Sequence, residues 1–256
     1  MGNGGGDRAR IAQFADELIA LKPDILLAVG TPSVEELRRR TTTIPIVFAV
    51  VTDPVSQGFV QNLAHPGGNV TGFTDYDGPL AGKWLEMLTQ VTPRPSRVFV
   101  VYNPATAPFA PLMLGTIEDA GRALDVTVES APVHDTASIV ALASRKDGGL
   151  LVLPDFFTMS NRALLLAAIN EARVPAVFWS RTFVDEGGLM SYSTDSAEQL
   201  RRAASYIDRI LKGARAADLP VQNPTTFELA INLKTAKAIG VTLPPSLLAT
   251  ANEVIE

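Results

Sequence analysis

The chain contains no cysteine among its 256 residues, so disulfide frameworks, thiolate nucleophiles and cysteine-ligated metal sites are all excluded. Histidine is almost as scarce. The only two, His65 and His134, fall in a turn or at a strand end, where we expect a surface role instead of catalysis or metal binding. No metal site is therefore predicted.

The chain also lacks a strong excess of charge and a long apolar run. Its formal net charge of −5 is mild, whereas nucleic-acid-binding proteins present a basic face, so no nucleic-acid partner is expected. No apolar run approaches the roughly 18 residues of a membrane-spanning helix. The first ten residues, MGNGGGDRAR, have no apolar core of the kind found in signal peptides, so none is predicted in this chain.

Several catalytic and nucleotide-binding motifs are missing. The sequence has no G-x-S-x-G, no G-x-x-x-x-G-K-[ST] and no G-x-G-x-x-G after a strand. The glycine run at 4–6 precedes a predicted helix but follows no strand, so it is not a phosphate-binding loop. We therefore expect a protein that is not an enzyme and that uses no cofactor.

The chain does contain one pattern twice. Residues 24–53 and 149–183 each run through an apolar strand, a polar turn, a helix, a β-branched residue, a proline and a second apolar strand. Such a repeat predicts two similar α/β lobes with a ligand cleft between them, lined by the polar turns.

Strands and helices alternate along the whole chain, which favours mostly parallel, doubly wound sheets. The segment 25–29 is continuously apolar, which is typical of a strand that is covered on both faces. Further strands are predicted at 46–51, 70–73, 97–102, 126–130, 187–192 and 227–231. Helices are predicted at 11–21, 34–40, 79–91, 112–124, 137–144 and 199–211.

Ligands bind at the carboxyl ends of the strands in open α/β sheets. The residues at these predicted ends form the candidate ligand site: Gly30, Thr31, Pro32, Asp53, Thr71, Thr74, Asn103, Asp155, Phe156, Trp179, Ser180 and Tyr192. Gly30 and Thr31 open a helix, whose free N–H groups and positive dipole suit a carboxylate. Asp53 and Asp155 could balance an ammonium group, and the aromatic residues could form apolar walls.

Each of these assignments has a structural alternative. Thr31 or Ser33 could be a plain helix N-cap. Asp53 precedes Pro54 and Asn103 precedes Pro104, and such pairs are common in turns. Asp155 could cap the following helix, and Trp179 could belong to the core.

A series of motifs runs from about residue 7 to the C-terminus: KPDILLAVGTP, IPIVFAVVTDPV, HPGGNVTGF, GKWLEML, VYNP, NEARVPAVF, GGLMSYSTD and ADLPVQNPTTFELAINLKTAKAIGVTLPPSLLATANEVIE. Together and in this order, the motifs resemble one protein family, the substrate-binding components of bacterial ATP-binding-cassette (ABC) transport systems, in the branch that includes tryptophan-binding members. The resemblance implies a type I periplasmic-binding-protein fold, in which two lobes joined by three crossings close over a small ligand. It also implies a subunit without catalysis.

The resemblance predicts lobe I at 1–95 plus 193–218 and lobe II at 96–192 plus 219–256. Family members usually begin with a signal or lipoprotein peptide and a strand–helix–strand unit that are absent from this sequence. We therefore expect lobe I to expose an unpaired strand edge and apolar faces. Three explanations are open: a wrongly assigned start of the sequence, a deliberately shortened chain, or a homodimer that completes the sheet.

The resemblance further implies a small ligand that is amino-acid-like or carboxylated, with an aromatic ligand as one option. It also implies permease partners in the membrane and a periplasmic or extracytoplasmic location. The alternative function is the ligand-sensing domain of a transcription regulator, which uses the same fold.

Overall fold

The computed structural model describes residues 8–76, 80–91 and 93–256. The chain divides into two compact units, and each is made of separate chain segments. Unit 1 comprises Met1–Asp77 and Thr194–Thr226, and unit 2 comprises Gly78–Ser193 and Phe227–Glu256. The chain therefore passes from one unit to the other three times.

The division differs from the predicted lobes in two segments. Helix α3 (Leu80–Leu88) belongs to unit 2 because its buried face packs against that unit's sheet and against helix α4 (Ala110–Leu124). The segment 219–226 belongs to unit 1 because it pairs with strand β3 (Val70–Thr74). There the Thr74 N–H donates to the Gln222 carbonyl at 3.0 Å.

Unit 1 is a three-layer α/β structure around a parallel sheet of order β1-β2-β3. Its elements are α1 (Arg8–Ala20), β1 (Leu26–Val29), α2 (Thr31–Arg40), β2 (Ile46–Val51), β3 and α9 (Ser196–Leu211). Helices α1 and α2 cover one face, where Val34, Leu37 and Phe48 are buried. Helix α9 covers the other face through Ala203 and Tyr206.

Strand β1 is the edge strand of this sheet, and it corrects the prediction of a strand covered on both faces. Leu26 and Ala28 are buried, but Leu27 and Val29 are 43% and 42% exposed. The register pairs Leu27 with Val47, so both lie on the α9 face of the sheet. Among the described residues, the α9 layer buries β2 and β3 on this face but leaves β1 open, which is why the apolar run is only half-buried.

Unit 2 contains a seven-stranded sheet of order β10-β9-β8-β7-β6-β4-β5. Its strands are β4 (Arg97–Tyr102), β5 (Thr127–Pro132), β6 (Gly149–Val152), β7 (Ala176–Phe178), β8 (Met190–Thr194), β9 (Phe227–Asn232) and β10 (Glu253–Ile255). Its helices are α3, α4, α5 (Thr136–Val140), α6 (Phe156–Ser160), α7 (Arg162–Ala172), α8 (Arg181–Asp185), α10 (Leu233–Ile239) and α11 (Pro245–Thr250). The strands from β5 to β8 are parallel to their neighbours.

Apolar side chains fill both faces of this sheet. Leu165 and Ile169 of α7 pack with Leu150 and Phe178 on one face. On the other, α3 approaches so closely that a Cβ atom on Gly149 would lie 2.9 Å from the Leu88 side chain. These layers confirm the predicted mostly parallel α/β fold.

Most predicted elements are present with shifts of a few residues at their ends. The predicted helix at 112–124 begins at Ala110, and the predicted helix at 137–144 is α5 followed by a 3₁₀ turn at Ala141–Ser144. The predicted start of the helix at Pro79 and the N-terminal leader at 1–7 lie outside the described residues. Within the described ranges, no helix is both long and apolar enough to cross a membrane.

Candidate functional site

Gly30 forms the tight turn between β1 and α2 at the strand end of unit 1. Its φ of 80° is unfavourable for residues with a side chain, and its N–H donates to the Ala49 carbonyl at 3.0 Å. Gly30 is the N-cap of α2, and no side chain caps the helix. The alternative in which Thr31 or Ser33 is the cap is therefore wrong.

Thr31 and Pro32 form the first turn of α2, and both are buried. The helix start brings backbone N–H groups and the positive end of the dipole to this turn. With the Thr31 hydroxyl not used as a cap, the turn retains the groups that a ligand carboxylate would need.

Strand β2 ends in a strained bulge beside this turn. Val50 has a φ of 58°, which is a rare conformation for a β-branched residue, and the register with β3 shifts between Ala49 and Val51. The buried Gln199 holds the bulge, because its Oε1 accepts from the Val50 N–H at 3.0 Å and its Nε2 donates to Thr194 Oγ1 at 2.7 Å. Strain of this kind is concentrated at functional sites.

Asp53 follows the bulge and shapes a local turn. Its carboxylate accepts from the Ser56 N–H at 3.2 Å and from the Ser56 hydroxyl, and its φ is 43°. The turn role that the Asp53-Pro54 pair indicated is the one observed in the structure.

The predicted residues of β3 do not lie together. Thr74 ends the strand, and its hydroxyl donates to Asn223 Oδ1 at 2.9 Å. Thr71 is only the second residue of the strand, is fully buried and donates to the Leu219 carbonyl at 2.6 Å. Thr71 therefore lies away from the strand-end cluster, contrary to its predicted placement at a carboxyl end.

Asp75 is a residue of the same edge that sequence reasoning did not select. It follows β3 directly, and the Thr52 hydroxyl donates to its Oδ1 at 2.9 Å. Burial raises the pKa of the Asp75 carboxyl to about 6, against the lowering effect of the Thr52 hydrogen bond. The residues selected from the sequence at the end of β3 stopped at Thr74, one residue before Asp75.

In unit 2, Asp155 connects the ends of β4 and β6. Its carboxylate accepts from the Asn103 N–H at 2.8 Å, from the Phe157 N–H at 2.9 Å and from the Thr106 hydroxyl. Asp155 is thus the N-cap of α6, and burial raises its pKa while these hydrogen bonds lower it. Asn103 is also internally engaged, because its Oδ1 accepts from the Ala105 N–H at 2.8 Å.

The end of β7 carries Trp179 and Ser180. Ser180 is the N-cap of α8, with its side chain accepting from the Thr182 N–H. Trp179 is partly buried and meets the Phe183 ring edge-on at 6.4 Å between centroids. Its Nε1 is buried and has no hydrogen-bond partner in the described part of the chain, as is also true of Ser191 Oγ.

Two aromatic rings stack at the neighbouring strand. Tyr192 of β8 and Phe227, the first residue of β9, lie 5.4 Å apart between ring centroids with an angle of 21°. Both are partly exposed, and the Tyr192 carbonyl accepts from Trp84 Nε1 at 2.6 Å. Phe227 was missed by sequence reasoning because it begins a strand instead of ending one.

Apart from Thr71, the strand order places the predicted residues in one group in each unit. In unit 1 the strand ends bring together Gly30, Thr31, Pro32, Asp53 and Thr74. In unit 2 the adjacent order of β4, β6, β7 and β8 brings together Asn103, Asp155, Phe156, Trp179, Ser180 and Tyr192. Among the described residues, no group of three or more His, Asp or Glu side chains could hold a metal ion.

Comparison with known proteins identifies the family that has this architecture. The family model described as "ABC transporter substrate binding protein" matches residues 1–255. A curated tyrosine-binding protein from Clostridioides difficile is 27% identical over 242 residues, which are 93% of this chain and 69% of that protein.

Two solved structures have closely similar folds. One is the ABC domain from Streptococcus pneumonia in complex with L-Trp, with a TM-score of 0.89, 27% identity and coverage of 98% of this chain and 87% of that chain. The other is a conserved domain protein from Vibrio cholerae, with a TM-score of 0.90, 30% identity and coverage of 97% and 84%.

Proteins of this family bind substrates for transport and are not enzymes, and they act outside the cytoplasm. The match over nearly the whole sequence means that this chain belongs to the ABC transporter substrate-binding protein family.

Proposed function

We propose that this chain captures an aromatic amino acid outside the cytoplasm and delivers it to the permease of an ABC-type importer. The observation that carries the ligand class is the partly exposed Tyr192–Phe227 stack, which connects β8 with the start of β9 in unit 2. Aromatic rings favour offset-stacked and edge-to-face neighbours, so such a pair suits an indole or phenol side chain. Relatives that bind tyrosine and L-Trp support the same class.

The two groups of strand-end residues take different parts of this ligand. In unit 1 the turn at Gly30 and Thr31 receives the ligand carboxylate, because helix N–H groups favour an anion. In unit 2, Tyr192, Phe227 and Trp179 receive the side chain. Ligand binding at both units would favour hinge closure, the mode of action that the family resemblance predicted.

Asp155, Asn103 and Ser180 hold their loops in place in this proposal. Their side chains are already engaged in the hydrogen bonds that cap helices or close turns. They support the site by orienting the neighbouring backbone and Phe156, which begins α6.

Calorimetry with the twenty common amino acids tests the proposal. We expect saturable binding of L-tryptophan, L-tyrosine or L-phenylalanine, and no binding of any of the three would refute the ligand class. Replacing both stacked residues, in Tyr192→Ala with Phe227→Ala, should weaken binding of the best ligand about tenfold or more, since aromatic contacts contribute beyond their buried area.

The partly exposed Phe14 on α1 provides the matched control. Phe14→Ala removes an aromatic ring from unit 1 and should leave the affinity unchanged.

The alternative role as the ligand-sensing domain of a transcription regulator is less well supported, because the family match points to transport.

A further inference from the structure

We infer that Asp75 binds the ammonium group of the ligand and so distinguishes an amino acid from a carboxylic acid of the same shape. This inference rests on the proposed function. It adds a specificity-determining residue that the strand-end rule had not selected.

The first argument is position. Strands β2 and β3 are neighbours, and the register pairs Val51 with Thr74. The residues that follow, Thr52 and Asp75, are therefore side by side at the carboxyl edge of the unit 1 sheet, where the Thr52 hydroxyl donates to Asp75 Oδ1 at 2.9 Å. This is the edge that also carries the turn at Gly30 and Thr31.

The second argument is charge. Asp75 is mostly buried, yet no Lys, Arg or His among the described residues forms an ion pair with it. A buried carboxylate without a positive partner is unfavourable, and the raised pKa of Asp75 reflects this. A cation that arrives with the ligand would supply the missing partner.

The third argument is that the other acidic candidates are already engaged. The Asp53 carboxylate receives both the N–H and the hydroxyl of Ser56. The Asp155 carboxylate receives two backbone N–H groups and the hydroxyl of Thr106. By contrast, the hydrogen bond from Thr52 orients Asp75 without neutralising it.

The fourth argument is complementarity within unit 1. Adjacent strands are separated by roughly 4.8 Å, and one strand lies between β1 and β3. The α2 turn and Asp75 are thus about 10 Å apart across the sheet edge by strand spacing alone. An α-amino acid joins its carboxylate to its ammonium through one carbon, and with a hydrogen bond at each end it can connect two such groups whose side chains point toward it.

The experiment compares two ligands that differ only in the ammonium group. L-Tyrosine is paired with 3-(4-hydroxyphenyl)propanoate, and L-tryptophan with indole-3-propanoate. In the unchanged protein the amino acid should bind at least tenfold more tightly than its partner. In Asp75→Asn, affinity for the amino acid should fall by ten- to a hundredfold, while affinity for the propanoate should stay the same or rise.

Asp24→Asn is the matched control, because it removes the same charge from an exposed position before β1. It should change neither affinity. Asp75→Ala provides a second variant, and circular dichroism of all variants reports folding. Equal losses for both ligands, or an unchanged preference in Asp75→Asn and Asp75→Ala, would overturn the inference. If the unchanged protein binds none of the four compounds and no L-phenylalanine either, the proposed function itself fails.

Discussion

At the scale of single residues, Asp75 combines a functional position with an energetic penalty. The carboxylate is mostly buried beside β3, and the Thr52 hydroxyl compensates only part of the lost hydration. Buried charged groups that are imperfectly paired destabilise a protein until a ligand completes them. The same property that suits Asp75 to bind a cation should therefore weaken the ligand-free fold.

This penalty predicts a pH-dependent effect of Asp75→Asn. Burial raises the pKa of Asp75 from 3.8 to about 6, so the folded protein retains a proton between these pH values that the unfolded chain has lost. The contribution of Asp75 to stability therefore falls as pH rises from about 4 to about 6. Above pH 6 the pKa difference between the folded and unfolded states corresponds to on the order of 3 kcal/mol of lost stability. Asp75→Asn should therefore stabilise the ligand-free protein by up to that amount at pH 7.5 and hardly change its stability at pH 4.

Urea unfolding of the ligand-free protein at both pH values measures this effect. Asp24→Asn serves again as the control for loss of an exposed charge. A gain of equal size at pH 4 and pH 7.5, or a loss at pH 7.5, would contradict the explanation by burial.

The residues of the site differ in how far the sequence can predict them. Gly30 and Thr31 were predictable because a glycine, a hydroxyl and a proline between a strand and a helix define the turn chemically. The partners of Asp155 were not, because Asn103 and Thr106 are about fifty residues away along the chain and only the sheet order brings them close. Asp75 was missed since its importance depends on burial, which no local pattern around it indicates.

At the scale of elements, apolar periodicity located most strands and helices but not the layers that cover them. The run at 25–29 indicated a strand, yet its coverage depends on helix α9, which follows it by well over a hundred residues. The same limit explains α3. Its buried face was predicted from its sequence, whereas its place in unit 2 depends on contacts with β6, β7 and α4.

The open edge of β1 predicts self-association of this chain. A strand at the edge of a sheet can pair with another strand, and in the described part of the chain β1 is an edge strand whose Leu27 and Val29 are both more than two-fifths exposed. We expect sedimentation velocity to reveal a dimer whose fraction rises with protein concentration. Leu27→Lys should lower that fraction, because a charged side chain disfavours pairing at an edge.

Leu112→Lys is the matched control for this experiment, since Leu112 is 55% exposed but lies on α4 in unit 2. The Leu112→Lys variant should have the same dimer fraction as the unchanged protein. A monomer at every concentration, or equal effects of the two lysine substitutions, would exclude β1 as an association surface.

At the scale of the whole molecule, several residues of the proposed site lie close in sequence to the three points where the chain crosses between the units. Asp75 lies two residues before the first crossing, Thr194 begins the segment after the second, and Phe227 follows the third. Thr194 is also bonded to Gln199, which holds the strained Val50. Contacts with a ligand at Asp75 and Phe227 would therefore act next to the segments about which a hinge would turn.

This placement predicts a change in the arrangement of the units when ligand binds, and the lack of cysteine makes it measurable. Gln13→Cys on α1 and Lys146→Cys after the 3₁₀ turn introduce two exposed thiols, one in each unit, into a chain that has no others. After labelling with a donor and an acceptor dye, energy transfer should change on addition of the amino acid and saturate at the concentrations found by calorimetry. The change should be smaller in Asp75→Asn at the same ligand concentration, because fewer molecules are occupied. Constant transfer efficiency in a protein that calorimetry shows to be fully bound would rule out hinge closure and would require capture of the ligand by one unit alone.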